Sequence, residues 1–148
     1  MIKIRPARKA EHNEIVRLWM ESWDSTGLAG GPGHRFELMR ERLDREIEGG
    51  WTLHVATAGN RIVGMLAIQP KDKHLAQLFV APSFQGRGVG KALLAFARDQ
   101  MPGEIWLRTA VQNTKAIRWY EREGFIKERE DLRPGQIHKR AYYRWKKK

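Results

Sequence analysis

A glycine-rich turn between two apolar segments constrains the fold of this chain more than any other feature. Gly86, Gly88 and Gly90 alternate with other residues in the stretch 85–90. A short apolar run ends before the turn at Pro82, and apolar residues recur at helical spacing from Val89 onward. The order is therefore strand, turn, helix. Because glycines permit positive φ and a helix N-terminus presents free N–H groups, the turn predicts a phosphate-binding site.

Two common phosphate-binding patterns do not fit this turn. A P-loop requires a hydroxyl residue after its lysine, whereas Lys91 is followed by Ala92. A dinucleotide-binding fold requires an acidic residue near the end of the next strand, where this chain has Ala110 and Val111. The spacing also leaves open a strand-to-helix turn that binds no ligand.

The remaining sequence predicts alternating strands and helices. Strands are predicted at 2–5, 51–57, 61–69, 74–80, 105–109, 125–131 and 137–145, and helices at 11–23, 36–47, 88–101 and 114–123. Gly59 and Asn60 predict a hairpin, so the strands at 51–80 form an antiparallel meander. The strand at 105–109 follows a helix and is expected to lie parallel to the strand at 74–80. We predict one domain (1–148) of the α/β class (α+β mixed), with a mostly antiparallel mixed sheet of about seven strands.

The composition excludes several classes of protein. The 148 residues include no cysteine, which excludes disulfides, thiolate metal sites and a cysteine nucleophile, and the five histidines lack a zinc-binding spacing. A net charge of +11 indicates affinity for polyanions, but the basic residues are spread along the chain and no nucleic-acid-binding motif occurs. Without a long apolar run or a signal peptide, we expect a cytoplasmic protein with no membrane partner and no specific nucleic-acid partner.

Two motifs in order resemble those of the GCN5-related N-acetyltransferase (GNAT) family. The first is Gln85-x-x-Gly88-x-Gly90, directly after the strand at 74–80. The second is Asn-x-x-Ala-x-x-x-Tyr-x-x-x-Gly-Phe at 113–125, at the spacing that the family shows. The predicted element order is also similar. The resemblance implies a GNAT-type three-layer fold with helices on both faces of the sheet. In that fold the two central strands splay apart, and the pantetheine arm of coenzyme A lies in the gap between them.

The resemblance implies acetyl-CoA as the co-substrate and no metal. Backbone N–H groups of 85–90 would hold its pyrophosphate, with Arg87 and Lys91 adding positive charge. The backbone of Leu78 and Val80 would pair with the pantetheine amides, and the Leu78 N–H would stabilise the thioester oxygen. The residues expected at the cofactor are Leu78, Phe79, Val80, Gln85, Gly86, Arg87, Gly88, Val89, Gly90, Lys91, Asn113, Ala116 and Tyr120.

The same resemblance suggests roles for individual side chains. Tyr120 matches the general acid that protonates the departing thiolate, although helical spacing also fits a buried core position. Asn113 would contact the cofactor, and an asparagine before a helix is equally an ordinary N-cap. His74 stands where some members carry a catalytic glutamate and is a candidate general base. Candidates for binding the acceptor are Glu21, Trp23, Asp24 and His34.

These expectations describe an enzyme that moves an acetyl group from acetyl-CoA to a primary amine by direct attack. The acceptor is a small-molecule or protein amine, and a homodimer is left open. The alternative is a noncatalytic sensor or interaction module that binds coenzyme A on the same fold.

Overall fold

The computed structural model describes residues 1–27 and 36–148, which form a mixed sheet with helices on both faces. The sheet order is β1-β2-β3-β4-β5-β7-β6. The strands are β1 (Ile2–Pro6), β2 (Thr52–Ala58), β3 (Arg61–Gln69), β4 (His74–Val80), β5 (Glu104–Ala110), β6 (Ile126–Asp131) and β7 (Arg140–Lys146). The helices are α1 (His12–Asp24), α2 (Phe36–Glu48), α3 (Val89–Gln100) and α4 (Thr114–Arg122). This architecture confirms the predicted fold class. None of the helices in the described ranges is long and apolar enough to span a membrane.

The last hairpin is shorter than predicted. Its second strand begins at Arg140 rather than at Ile137, whose side chain is 77% exposed. The pairing starts at Asp131 and Arg140, where the guanidinium donates two hydrogen bonds of 2.9 Å to the carboxylate. Because this bidentate ion pair closes the hairpin, the residues between the two side chains form a loop.

Two apolar clusters lie on opposite faces of the sheet. One contains α1 and α2, with Trp19 and Leu43 packed on β2 and β3. The other contains α3 and α4 and includes Leu93 and Tyr120, and β5 adds Ile105 and Leu107 to this second face. Since side chains alternate along a strand, Trp106 and Arg108 point to the α1/α2 face. The apolar cluster on that face includes no residue from β5, β6 or β7. The described helices therefore leave this half of the α1/α2 face open.

The two central strands diverge after a single point of pairing. β4 and β5 are parallel neighbours whose one register pair joins His74 to Trp106, next to the hydrogen bond of 2.9 Å that the Trp106 N–H donates to the Lys73 carbonyl. Both strands lie wholly within the described residues, and toward their carboxyl ends no further pairing joins them. The predicted splay is confirmed, and it opens a gap between the two faces of the sheet.

Candidate active site

The register between β3 and β4 determines which backbone groups point into the gap. The Ala81 N–H donates to the Val63 carbonyl at 2.8 Å, and Phe79 stands opposite Met65 in the same register. Hydrogen-bonded and non-hydrogen-bonded pairs alternate in an antiparallel ladder. Phe79 therefore bonds to β3, whereas the N–H and C=O groups of Leu78 and Val80 face the gap. A ligand lying in the gap would meet the two N–H groups and the Leu78 carbonyl as it would meet an unpaired strand edge.

Two side chains hold the end of β4 at the mouth of the gap. The Val80 carbonyl accepts hydrogen bonds from Ser22 Oγ at 3.1 Å and from Gln85 Nε2 at 3.3 Å. Gln85 Oε1 in turn accepts from Lys115 Nζ at 3.1 Å. Gln85 thus ties the glycine turn to both β4 and α4, and the Val80 N–H stays directed into the gap. Sequence reasoning missed Ser22. The available signal was a serine on the apolar face of α1, because a buried hydroxyl needs a buried hydrogen-bond partner.

The glycine turn has the backbone of an anion site. Gly86 and Gly88 adopt φ of 80° and 84°, and an added Cβ at either position would meet nothing within 4 Å. Glycine is therefore required there by the backbone and not by packing. Gly88 caps α3 without a side-chain hydrogen bond, so the first N–H groups of the helix lack a side-chain partner. The donors of this turn fit a phosphate group.

Two basic side chains near the turn, Arg87 and Lys91, contact neighbouring residues. The Arg87 guanidinium lies 5.1 Å from the centroid of the Phe84 ring. Lys91 Nζ lies 3.8 Å from a carboxylate oxygen of Glu123 on the α4 side. Both cations stand close to the first turn of α3. Coenzyme A fits this donor set because its pyrophosphate would meet N–H groups, nearby cations and no intruding side chain.

Two further glycines set the position of α3. A Cβ at Gly90 would lie 3.4 Å from the Trp119 ring, so this residue allows α3 to approach α4. A Cβ at Gly64 would lie 3.0 Å from Leu93 Cδ1 and 3.1 Å from Val89 Cγ1. The N-terminal half of α3 therefore rests directly on β3, with Val89 buried between them. Gly64 was missed, although an isolated glycine inside a strand pattern often marks a close backbone approach.

The second motif forms the start and the buried side of α4. Asn113 Oδ1 accepts a hydrogen bond of 3.4 Å from the Ala116 N–H, which is the capping interaction. Tyr120 is 7% exposed and packs against Phe125, with ring centroids 5.4 Å apart. Burial raises the pKa of the Tyr120 hydroxyl well above its ordinary value near 10. Leu78 and Val80 pack against the same cluster, so Tyr120 lies on the α3/α4 side of the gap.

His74 lies at the closed end of the gap, where β4 and β5 are paired. Its ring stacks on Trp106 with centroids 3.7 Å apart, and Nδ1 lies 3.2 Å from the Trp106 carbonyl oxygen. Because a carbonyl only accepts, Nδ1 carries the hydrogen and Nε2 keeps a lone pair. Burial lowers the pKa of His74 to about 4. Trp106 was missed by sequence reasoning, although its alternation with buried Ile105 and Leu107 places it on the opposite face.

Three of the four predicted acceptor residues lie at the C-terminal end of α1. Glu21 and Asp24 are exposed and Trp23 is half-buried. They flank Ser22, whose hydroxyl contacts the end of β4, so they stand near the mouth of the gap on the α1/α2 face. His34 lies outside the described residues. Among residues 1–27 and 36–148, no group of three or more His, Asp or Glu side chains is arranged to hold a metal ion.

Comparison with known proteins identifies the family. The family model described as "Acetyltransferase (GNAT) family" matches residues 12–125. The chain belongs to this family. It is therefore an N-acetyltransferase, which confirms the activity that the two motifs predicted.

Known relatives and solved structures agree with this assignment. The peptidyl-lysine N-acetyltransferase YjaB of Salmonella typhimurium is 34% identical over 84% of this chain and 83% of that protein. The solution structure of apo-form YjaB from Escherichia coli superposes with a TM-score of 0.76 at 24% identity, over 98% of this chain and 97% of that one. The PaiA N-acetyltransferase of Thermoplasma acidophilum, solved in complex with coenzyme A, gives a TM-score of 0.77 at 20% identity over 99% of both chains. These two structures support the fold.

Proposed function

We propose that this GNAT enzyme transfers an acetyl group from acetyl-CoA to a primary amine, and that the amine is a lysine side chain. The backbone N–H groups of Leu78 and Val80, which are not paired with β3 or β5 and face a gap directly before a glycine turn, carry the proposal. The name of the YjaB relative supports lysine as the acceptor, and the coenzyme A complex of PaiA supports the donor. When bound, acetyl-CoA supplies a thioester whose thiolate leaves.

In this proposal, backbone groups of β4 stabilise the reaction. The acceptor nitrogen attacks the thioester carbonyl, so that a C–N bond forms as the C–S bond breaks. Negative charge grows on the carbonyl oxygen during the attack, and the Leu78 N–H donates to it. A single donor of this kind contributes on the order of 10²-fold to the rate. Because the donor is a backbone group, side-chain substitution at Leu78 does not remove it.

Tyr120 is proposed to protonate the leaving thiolate. Its raised pKa keeps the hydroxyl protonated at every working pH, so a proton is always present to give. An unperturbed tyrosine has a pKa about 1.5 units above that of a thiol, which makes the transfer uphill by about 2 kcal/mol. The same burial that raises the pKa of Tyr120 raises that of a thiolate beside it, which reduces this difference.

The acceptor reaches the enzyme as an ammonium ion and must lose a proton before it attacks. His74 remains a candidate for the base, since its Nε2 holds a lone pair at the closed end of the gap. A pKa of about 4 argues against it, because transfer from an amine with a pKa near 10.4 would be uphill by roughly 9 kcal/mol. We therefore propose that the proton leaves through water in the gap, and that His74 and Trp106 close the gap below the reacting atoms.

The proposal is tested by thiol release from acetyl-CoA with a lysine-containing peptide. We expect Tyr120→Phe to lower kcat by about 10²-fold or more, while saturating acetyl-CoA still raises the melting temperature. Tyr143→Phe is the matched control, because Tyr143 is a buried tyrosine of the same core cluster. An unchanged kcat in Tyr120→Phe would remove this residue from the mechanism. A melting shift without turnover of any amine would instead favour the noncatalytic sensor.

A further inference from the structure

The open half of the α1/α2 face contains a recess beside the gap. It has a volume of about 230 Å³ and is lined by Trp106, Arg108, Glu128, Arg129, Tyr142 and Arg144. Trp106 also stacks on His74, so one wall of the recess is the closed end of the gap. An amine bound here would lie on the face opposite α3, α4 and the glycine turn. The recess is therefore placed to receive the acceptor and not the donor.

The positive charges of the recess are unequally neutralised. Arg144 pairs with Glu128 at 2.9 Å and with Glu104 at 3.0 Å. Arg129 lies 3.7 Å from the Tyr142 ring centroid and 3.5 Å from a carboxylate oxygen of Asp131. These two arginines therefore already have acidic partners.

Arg108 differs from both. It is exposed on β5 and lies 5.9 Å from the Trp106 ring centroid. Among the described residues no carboxylate forms an ion pair with it, and the stretch 28–35 contains no Asp or Glu that could do so. Its guanidinium therefore faces the recess with five N–H donors and no acidic partner.

Two more arginines add positive charge around Arg108. Burial lowers the pKa of Arg42 on α2, and the positive charges of Arg45, Arg133 and Arg108 lower it further, against the opposing effect of Glu46. Arg108 and Arg133 thus both lie within electrostatic reach of Arg42, and neither Arg42 nor Arg133 forms an ion pair within the described part of the chain. Three elements, α2, β5 and the loop before β7, bring like charges together. Binding of an anion would reduce the repulsion among these charges.

We propose that this recess binds a carboxylate that the acceptor carries near its amine, and that Arg108 is its main partner. The inference rests on the proposed function and names the substrate class of the same site. A guanidinium pairs with a carboxylate through two parallel hydrogen bonds, which also fixes the direction from which the amine enters the gap. The carboxylate belongs either to a free amino acid of the lysine type or to an acidic residue beside a lysine in a peptide. Polyamines, which are cationic throughout, are disfavoured acceptors.

Two pairs of acceptors test this proposal with the full chain. The first pair is 6-aminohexanoate and hexylamine, and the second is a lysine peptide with glutamate neighbours and the same peptide with glutamines. We expect the carboxylate member of at least one pair to have a kcat/KM at least about tenfold higher, equivalent to about 1.4 kcal/mol. The pair that shows the preference tells whether the carboxylate comes from the small molecule or from the peptide.

Arg108→Gln is expected to bring that ratio close to one, while turnover of the member without the carboxylate and the melting shift with acetyl-CoA persist. Arg108→Lys should keep part of the preference, since it retains the charge and loses the bidentate geometry. Arg122→Gln is the matched control, because it removes an equal charge from an exposed position on α4. Ratios near one for both pairs in the wild type, or a preference that Arg108→Gln leaves intact, would overturn the proposal. Melting shifts with the same four ligands give this comparison independently of turnover, so that failure of the transferase proposal is recognised separately.

Discussion

Buried His74 should make the stability of the protein depend on pH in a way that one substitution removes. In the folded chain its pKa is lowered to about 4, and an unperturbed histidine has a pKa near 6.5. Between these values the unfolded chain binds a proton that the folded chain does not. The free energy of unfolding therefore falls as the pH falls through this window. Above about pH 6.5 the histidine is neutral in both states and contributes no pH dependence.

The size of the effect follows from the two pKa values. The full pKa difference of about 2.5 units corresponds to about 3 kcal/mol of folding stability. Acidification from pH 7 to pH 4.5 removes about 2 kcal/mol of this stability. His74 is 7% exposed, so solvent screening does little to reduce this figure. Three neighbouring groups have smaller effects on the pKa of His74: the Trp106 carbonyl and Asp72 raise it, and Arg108 lowers it.

The assay is urea denaturation of the wild type and of His74→Gln at pH 7 and at pH 4.5. Glutamine keeps a side-chain N–H for the Trp106 carbonyl and does not titrate. Both proteins share every carboxylate, so the acid-dependent losses of stability from those groups cancel when the two proteins are compared. On acidification, we expect the free energy of unfolding to fall by about 2 kcal/mol more in the wild type than in the variant. Equal losses would show that His74 titrates normally, and the argument against it as the general base would then fail.

Three further substitutions test how the donor site is built. Gly88→Ala places a Cβ at a φ of 84° with nothing within 4 Å, so we expect backbone strain of about 1–2 kcal/mol and weaker binding of coenzyme A by calorimetry. Gly59→Ala is its matched control, because this glycine has a φ of 60° and the same free space but lies in the β2–β3 hairpin, away from the glycine turn at 85–90. Gly64→Ala forces a Cβ to 3.0 Å from Leu93 Cδ1, which should destabilise the fold by about 1–3 kcal/mol in urea denaturation and also weaken coenzyme A binding by displacing α3. Asn113→Ala should cost about 1 kcal/mol through loss of the cap, and unchanged coenzyme A affinity in that variant would limit Asn113 to capping.

The donor half of the site could be predicted from sequence because its requirements are local. Gly86 and Gly88 are needed for positive φ, so the residue type itself records the backbone conformation. Asn113 and Tyr120 lie on one short helix, where spacing predicts both the cap and the buried side. The short apolar runs likewise predicted the strands. These signals need no knowledge of distant contacts.

The gap and its surroundings required the structure because they depend on contacts between distant segments. The single register pair between His74 and Trp106 joins residues more than thirty positions apart, and alternation within a strand does not tell where a partner strand departs. Ser22 and Gly64 act through partners equally remote in sequence. The start of β7 was also misplaced, since the ion pair between Asp131 and Arg140 outweighs the strand propensity of Ile137.

In the proposed mechanism the sheet separates the recognition of donor and acceptor, and this separation accounts for why only the donor site has a sequence motif. On the α3/α4 side, backbone N–H groups of the turn and of β4 are positioned for a ligand whose chemistry is invariant, so few residue types satisfy the geometry. On the α1/α2 side, recognition falls to side chains such as Arg108 that project from an otherwise regular strand. A side chain there can be replaced without altering the turn, the register of β4 or the capping of α4. Acceptor specificity can therefore change while the donor site stays intact. In this chain, we propose that the positive charge of the recess determines which acceptor is preferred.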